Sequence, residues 1–193
     1  MYICAMIKPR GQFVTDKILE TADHLFYFQG YSNTGINQVI DEADIAKGSL
    51  YKHFESKADL MVAYLERTHQ LWFERFKGKI EKVIDPKEKL LAVFDHHLER
   101  QQVRAFGGCP FIKANAEAGM SDSRILPEIQ SAKKRFKKFV GQLVAKSGHK
   151  KILTDKELTE TICLLTEGGI ALGSVFKQGK DLETAKKIIQ KLI

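Results

Sequence analysis

The seven residues Lys47-Gly48-Ser49-Leu50-Tyr51-Lys52-His53 bring together two ammonium groups, a hydroxyl, a phenol and an imidazole without one carboxylate. Hydrogen-bond donors and a flat ring in so short a span suit phosphate oxygens and base edges in a DNA groove. Gly48, with no side chain, lets such a segment approach the groove closely. Leu50 and Phe54, four residues apart, mark the side that turns away from solvent.

Other elements must hold that segment outward. Ile36, Val39, Ile40 and Ala43 recur at i, i+3, i+4 and i+7, one face of a helix, and the face resumes at Leu50 after a break at Asp44-Ile45. Two short helices joined by a tight turn make a helix-turn-helix, with Asp44 in the turn because aspartate tolerates positive φ. A helix from Thr15, as N-cap, to Gly30, as C-cap, precedes it and buries Ile18, Leu19, Ala22, Leu25 and Phe26.

Ser56 with Asp59 opens a helix that runs to about Lys82, with Leu60, Tyr64, Leu71, Trp72, Phe76 and Ile80 inward. It is too long to belong to the small domain alone and reads as a connector. Further helices are expected from Pro86 to Arg104, Pro110 to Gly119, Asp122 or Ser123 to Gly148, Thr154 to Lys177 and Asp181 to the C-terminus. Thr154 and Glu157 form a full capping box. The fold class is all-α, about nine helices: an N-terminal three-helix domain over residues 1–56 and a larger helical domain over residues 57–193.

The net charge of +7 favours acidic partners, yet residues 1–56 carry five Lys/Arg against seven Asp/Glu, which leaves +9 for the rest. Specific cations, not bulk charge, must therefore carry a nucleic-acid contact. Lys8 and Arg10 offer an N-terminal arm. The run Lys133-Lys134-Arg135-Phe136-Lys137-Lys138 reads as a solvated helix face around one buried ring.

Cys4, Cys109 and Cys163 are too far apart for a disulfide framework or a zinc site, so no metal or cofactor is expected. No nucleophile-base pairing or glycine-rich phosphate loop appears, which argues against an enzyme. The short apolar start is no secretory signal, and no apolar run approaches the roughly 20 residues that span a bilayer. A cytoplasmic protein without membrane contact is expected.

Ile18-Leu19, Ala22, Phe26, Gly30-Tyr31, Thr34, Ile36, Ile40 and Ala43, the block Lys47 to Phe54, Ser56-Lys57 and Asp59-Leu60 together resemble the TetR/AcrR family of transcriptional repressors. Gly108-Cys109-Pro110-Phe111 through Glu117 is similar to a segment of one branch of that family. Asp44 stands where the family usually has glycine, and Ala46 where a serine often caps the recognition helix.

The resemblance implies a homodimer on double-stranded operator DNA, with the last two helices forming a four-helix interface. It implies DNA contacts from Lys47, Gly48, Ser49, Tyr51, Lys52 and His53, with Thr34 and Lys57 on phosphates near helix N-termini. It also places an effector pocket among Trp72, Phe73, Phe76, Phe94, His97, Phe106, Cys109 and Phe111, a ring-rich set suited to an apolar or flat ligand.

Cys109 follows two glycines and precedes Pro110, at a helix N-terminus where the dipole favours thiolate. Lys177 is a candidate charge partner, and the pair a candidate electrophile or oxidant sensor. The expected function is a repressor released by a small apolar ligand or by cysteine modification; the alternative is a helical protein-interaction adaptor that does not bind DNA.

Overall fold

The computed structural model describes residues 10–119, 122–150 and 152–193. Cys4 and the expected arm cation Lys8 lie outside them, and of Arg10 only its place at a helix start is described. The described residues form nine helices: α1 (Arg10–Phe28), α2 (Ile36–Glu42), α3 (Lys47–His53), α4 (Lys57–Ile80), α5 (Pro86–Val103), α6 (Pro110–Ala118), α7 (Ile125–Lys146), α8 (Asp155–Phe176) and α9 (Lys180–Leu192).

Two apolar cores organise them. The first gathers Ile18, Ala22, Leu25 and Phe26 of α1, Val39 and Ile40 of α2 and Leu50 of α3 onto Leu60, Met61, Tyr64 and Leu65 of α4. Ala114 and Ala118 of α6 and Ile125 and Ile129 of α7 complete it, so α6 and α7 reach across to the small domain. The second core is built from Trp72 and Phe76 of α4 with α5, the end of α7, α8 and α9. α4 passes without a break from one core to the other, as its length requires.

Local chemistry explains most boundaries. Ser56 accepts from the Asp59 N–H at 3.1 Å, and Asp85 caps α5 ahead of Pro86. Thr154 and Glu157 close their capping box at the start of α8. Gly30 ends the α1 region at φ +97°, and Asp44 turns between α2 and α3 at φ 46° with Lys17 on its carbonyl and carboxylate.

Three expected boundaries move. Thr15 does not cap α1; the helix already runs from Arg10, and the Thr15 hydroxyl donates back to the Gly11 carbonyl at 3.0 Å. Neither Asp122 nor Ser123 caps α7. Asp122 accepts the Arg124 N–H at 2.9 Å and builds the turn before the helix, which Arg124 flanks without a side-chain cap. α9 begins one residue early, at Lys180.

The expectation that no stretch could span a bilayer also needs correction, because α8 is long and apolar enough by length and composition. Its apolar content has two destinations. Leu158, Ile162 and Ile170 are buried in the second core, whereas Leu164, Leu172 and Val175 stay exposed as a separate stripe.

α3 starts at Ala46, whose extended backbone (φ −68°, ψ 142°) is that of an N-cap with no side chain to donate to. Ala46→Ser adds a side-chain acceptor at the N-cap, within reach of the Gly48 N–H since the Ser49 N–H already donates to the Ala46 carbonyl at 2.8 Å, and is expected to add about 1 kcal/mol of stability. In a chain of this size the melting midpoint should rise by about 2–4 °C.

Candidate nucleic-acid interface and inner pocket

Leu50, fully buried, and Phe54, 7% exposed, seat α3 on the first core and leave its opposite side to solvent. Lys47, Gly48, Tyr51, Lys52 and His53 are exposed there and Ser49 is half-buried. Lys47 lies 6.0 Å from the centre of the Tyr51 ring. Among the described residues neither Lys47 nor Lys52 has an ion pair, which leaves both ammonium groups to solvent.

The other expected contacts are engaged to different degrees. His53 Nδ1 lies 3.2 Å from the Thr15 hydroxyl, which ties the end of α3 to α1. Lys57, first residue of α4, rests 4.1 Å above the Tyr31 ring, and burial pushes its pKa down from the usual lysine range. Thr34 does not present its hydroxyl to a phosphate. It is 1% exposed and donates to the Gly30 carbonyl at 2.7 Å, closing the turn between α1 and α2.

In the body, His69, Trp72, Phe73, His97, Cys109, Phe111, Lys133, Phe136 and Glu167 surround a cavity of about 50 Å³. Five of the eight residues expected there are present: Trp72, Phe73, His97, Cys109 and Phe111. Phe76 stacks behind Trp72 (5.1 Å between centroids, planes at 16°), and Phe94 is buried in the second core. Phe106 belongs to the turn between α5 and α6, at φ 51°. Sequence reasoning missed His69, Lys133 and Glu167, whose only signal was helical phase relative to a pocket not yet located.

Lys133 is the main correction to the expected solvated run. Its ammonium pairs with Glu167 and donates to Cys109 Sγ at 3.3 Å. Lys177 is not the partner of Cys109; it adopts a left-handed C-cap at φ 54° and its ammonium donates to the Phe106 carbonyl at 3.3 Å. Of the remaining run, Arg135 pairs with Glu128 and Lys137 with Glu160 on the surface.

Cys109 does stand at the N-cap position of α6, with no side-chain capping bond, but the expected thiolate does not follow. Burial raises the thiol pKa above its usual value and outweighs the opposing pull of Lys133. The same desolvation lowers the imidazoles. His69 is held at about 4 by burial and then Arg135, His96 at about 4 by burial and then Lys79, and His97 well below its usual value. The Trp72 Nε1 and the His97 Nε2 are buried with no hydrogen-bond partner among the described residues.

A chain of contacts leads from the pocket to the small domain. Tyr27, at the end of α1, donates its hydroxyl to the Gly108 carbonyl at 2.9 Å, next to Cys109. Arg104 covers the Tyr27 ring at 3.6 Å, and Lys113 of α6 donates to the Tyr27 carbonyl. At the other end of α6, the Glu117 carboxylate accepts the Ser32 N–H at 3.0 Å, in the turn that leads into α2.

A short helix seated by two apolar residues, its outer side carrying unpaired cations and its base joined to a helical body with an inner pocket, defines a helix-turn-helix DNA-binding protein. Comparison with known proteins agrees. The profile described as bacterial regulatory proteins, tetR family, matches residues 18–64. The chain is 27% identical over 169 residues to the HTH-type transcriptional regulator LmrA of Bacillus subtilis, covering 86% of this chain and 89% of that one. It is also 27% identical over 104 residues, about half of either chain, to the transcriptional repressor NemR of Escherichia coli. The crystal structure of reduced E. coli NemR superposes with a TM-score of 0.83 at 19% identity, over 94% of this chain and 98% of that one. Residues 18–64 are thus a tetR-family DNA-binding domain, and the chain has the fold of a solved TetR-type transcriptional regulator over nearly its whole length.

Two outcomes test the electrostatics. Replacing Lys133 with Met removes the cation that favours Cys109 thiolate, so the pH midpoint of iodoacetamide labelling at Cys109, read by peptide mass, should move upward. The depressed histidines predict the second. Unfolded, they bind protons below about 6.5, and folded, His69 and His96 refuse them until about 4, so their contribution is fully present above 6.5 and lost as the pH falls towards 4. The urea midpoint should drop between pH 7 and pH 5, and drop less in His96→Phe.

Proposed function

We propose that the chain is a homodimeric, cytoplasmic repressor that reads operator DNA with Lys47, Gly48, Ser49, Tyr51 and Lys52, uses Lys57 on a phosphate, and is released through chemistry in the Cys109 pocket. The observation that carries the DNA contact is the outer face of α3, where two lysines without ion pairs flank a 42% exposed tyrosine. His53 supports that face more than it reads it, since its ring nitrogen is turned to Thr15.

The dimer reading rests on α8 and α9. Leu164, Gly168, Leu172 and Val175 recur at i, i+4, i+8 and i+11 on one exposed side of α8, and Ile188 of α9 is exposed as well. A side chain at Gly168 would meet nothing within 4 Å, so a second helix has room to approach closely. Two copies joined there carry two recognition helices, whose spacing must be roughly 34–36 Å, or a multiple, to enter successive major grooves.

On the effector side, about 50 Å³ is far below the several hundred Å³ of a pocket for drug-sized ligands. That size favours a small uncharged electrophile or oxidant reaching Cys109, while an apolar ligand requires the surrounding rings to part first. The relative NemR has been crystallised in a form described as reduced, which accords with the thiol reading. Any shift of Cys109 displaces the start of α6, and through Tyr27 and Glu117 it reaches both ends of the turn that aims α2 and α3. The effector need only favour the released arrangement over the DNA-ready one.

Gel-shift titration on the duplex upstream of the chain's own gene tests the contact set. Tyr51→Ala and Lys47→Ala should each weaken binding about ten-fold or more relative to a random duplex, with the dimer intact by sedimentation. Affinity should fall with salt at a log–log slope of roughly −0.9 per phosphate neutralised. Retained affinity in both variants rejects this face. A small thiol-directed electrophile should release the wild type and leave Cys109→Ser bound; equal release of both rejects the sensor.

A further inference from the structure

A second and larger cavity, about 510 Å³, lies where α1, α4 and α5 converge at the seam between the small domain and the body, and shares one lining residue, Arg100, with the inner pocket. Its charged groups do not balance one another. Glu20 is taken by Arg67 at 3.0 Å, Asp23 by Arg104 at 3.1 Å and Glu99 by Lys79, so all three carboxylates of the wall are satisfied.

Two guanidinium groups of the same wall are left over. Among the described residues, the side chains of Arg75 and Arg100 make neither a hydrogen bond nor an ion pair. Arg100 is half-buried, and desolvation lowers its pKa against the opposing pull of Tyr64 and Asp23. His96, also in the wall, has a buried Nε2 with no hydrogen-bond partner among the described residues. The rest of the lining is apolar where it meets solvent: Phe28 is 53% and Val103 86% exposed.

We propose that this seam binds a small organic carboxylate with an apolar body. The carboxylate meets the Arg100 fork, for which planar bidentate pairing is the natural partner, with Arg75 completing the neutralisation. The apolar body covers Phe28 and Val103. The volume lies within the range of small-molecule sites. Because Phe28 belongs to α1 and Val103 and Arg100 to α5, an occupant joins the small domain directly to the body; Cys109 is not in this wall, although Arg100 also lines the inner pocket.

The test is calorimetric titration of the full chain, without DNA, with octanoate and with 1-octanol. Octanoate should bind, and octanol should bind at least about ten-fold more weakly. Val103→Glu and Arg75→Glu, both exposed and outside the inner cavity, should weaken octanoate by about ten-fold or more through repulsion. Phe111→Ala, which alters only the inner cavity, should bind octanoate like the wild type. No octanoate binding at millimolar concentration, equal binding of octanol, or loss in Phe111→Ala with Val103→Glu unaffected would each overturn the proposal. As DNA is absent, failure here is separate from failure of the operator reading.

Discussion

The hydroxyl of Tyr27 on the Gly108 carbonyl fixes the small domain to the turn that starts α6, beside the unbroken α4 and the core that α6 and α7 share with it. That bond is buried, it joins residues 81 apart in sequence, and the phenol sits so close that a β-carbon on Gly107 would lie 2.4 Å from the ring. The turn it grips is strained: Ala105, Phe106 and Gly108 all have positive φ, at 50°, 51° and 91°. Two consecutive non-glycine residues in the left-handed region persist only where their surroundings over-determine them. Here the surroundings are Tyr27 from the small domain and Lys177 on the Phe106 carbonyl.

That strained turn ends at Cys109, and α6 begins there. α6 is only nine residues long, yet its two ends face different domains: the Cys109 end closes the pocket, and Glu117 holds the turn before α2. A short helix pinned at both ends moves as a rigid strut. In the proposed release, α6 is the element that would carry a displacement at the thiol to the small domain.

The parts legible in the sequence were those written locally. The helix-turn-helix, its Asp44 turn, the seating of Leu50 and Phe54, and the capping box at Thr154 all depend on residues within a few positions of one another, and each stands as read. The start of α1 was misplaced because a threonine suited to capping can equally bond back into a helix, and only the residues before it decide. Thr34 was misassigned for a related reason, since its hydroxyl serves a local turn. The pocket was half legible. Aromatic content pointed to Trp72, Phe73 and Phe111, but the charged members Lys133 and Glu167 sit 34 residues apart on helices whose rotation no local pattern fixes. The run 133–138 misled because charge density hides which lysine faces inward.

The lone tryptophan of the chain is Trp72, and it sits against His97 at 5.1 Å and His96 at 5.0 Å in the wall that it shares with Cys109. Neutral imidazoles surround the indole at physiological pH, so its emission is set by ring packing and by whatever enters beside it. The molecule thus contains its own optical gauge. Intrinsic fluorescence, with no dye attached and no background from a second indole, reports the state of the chamber that holds Cys109.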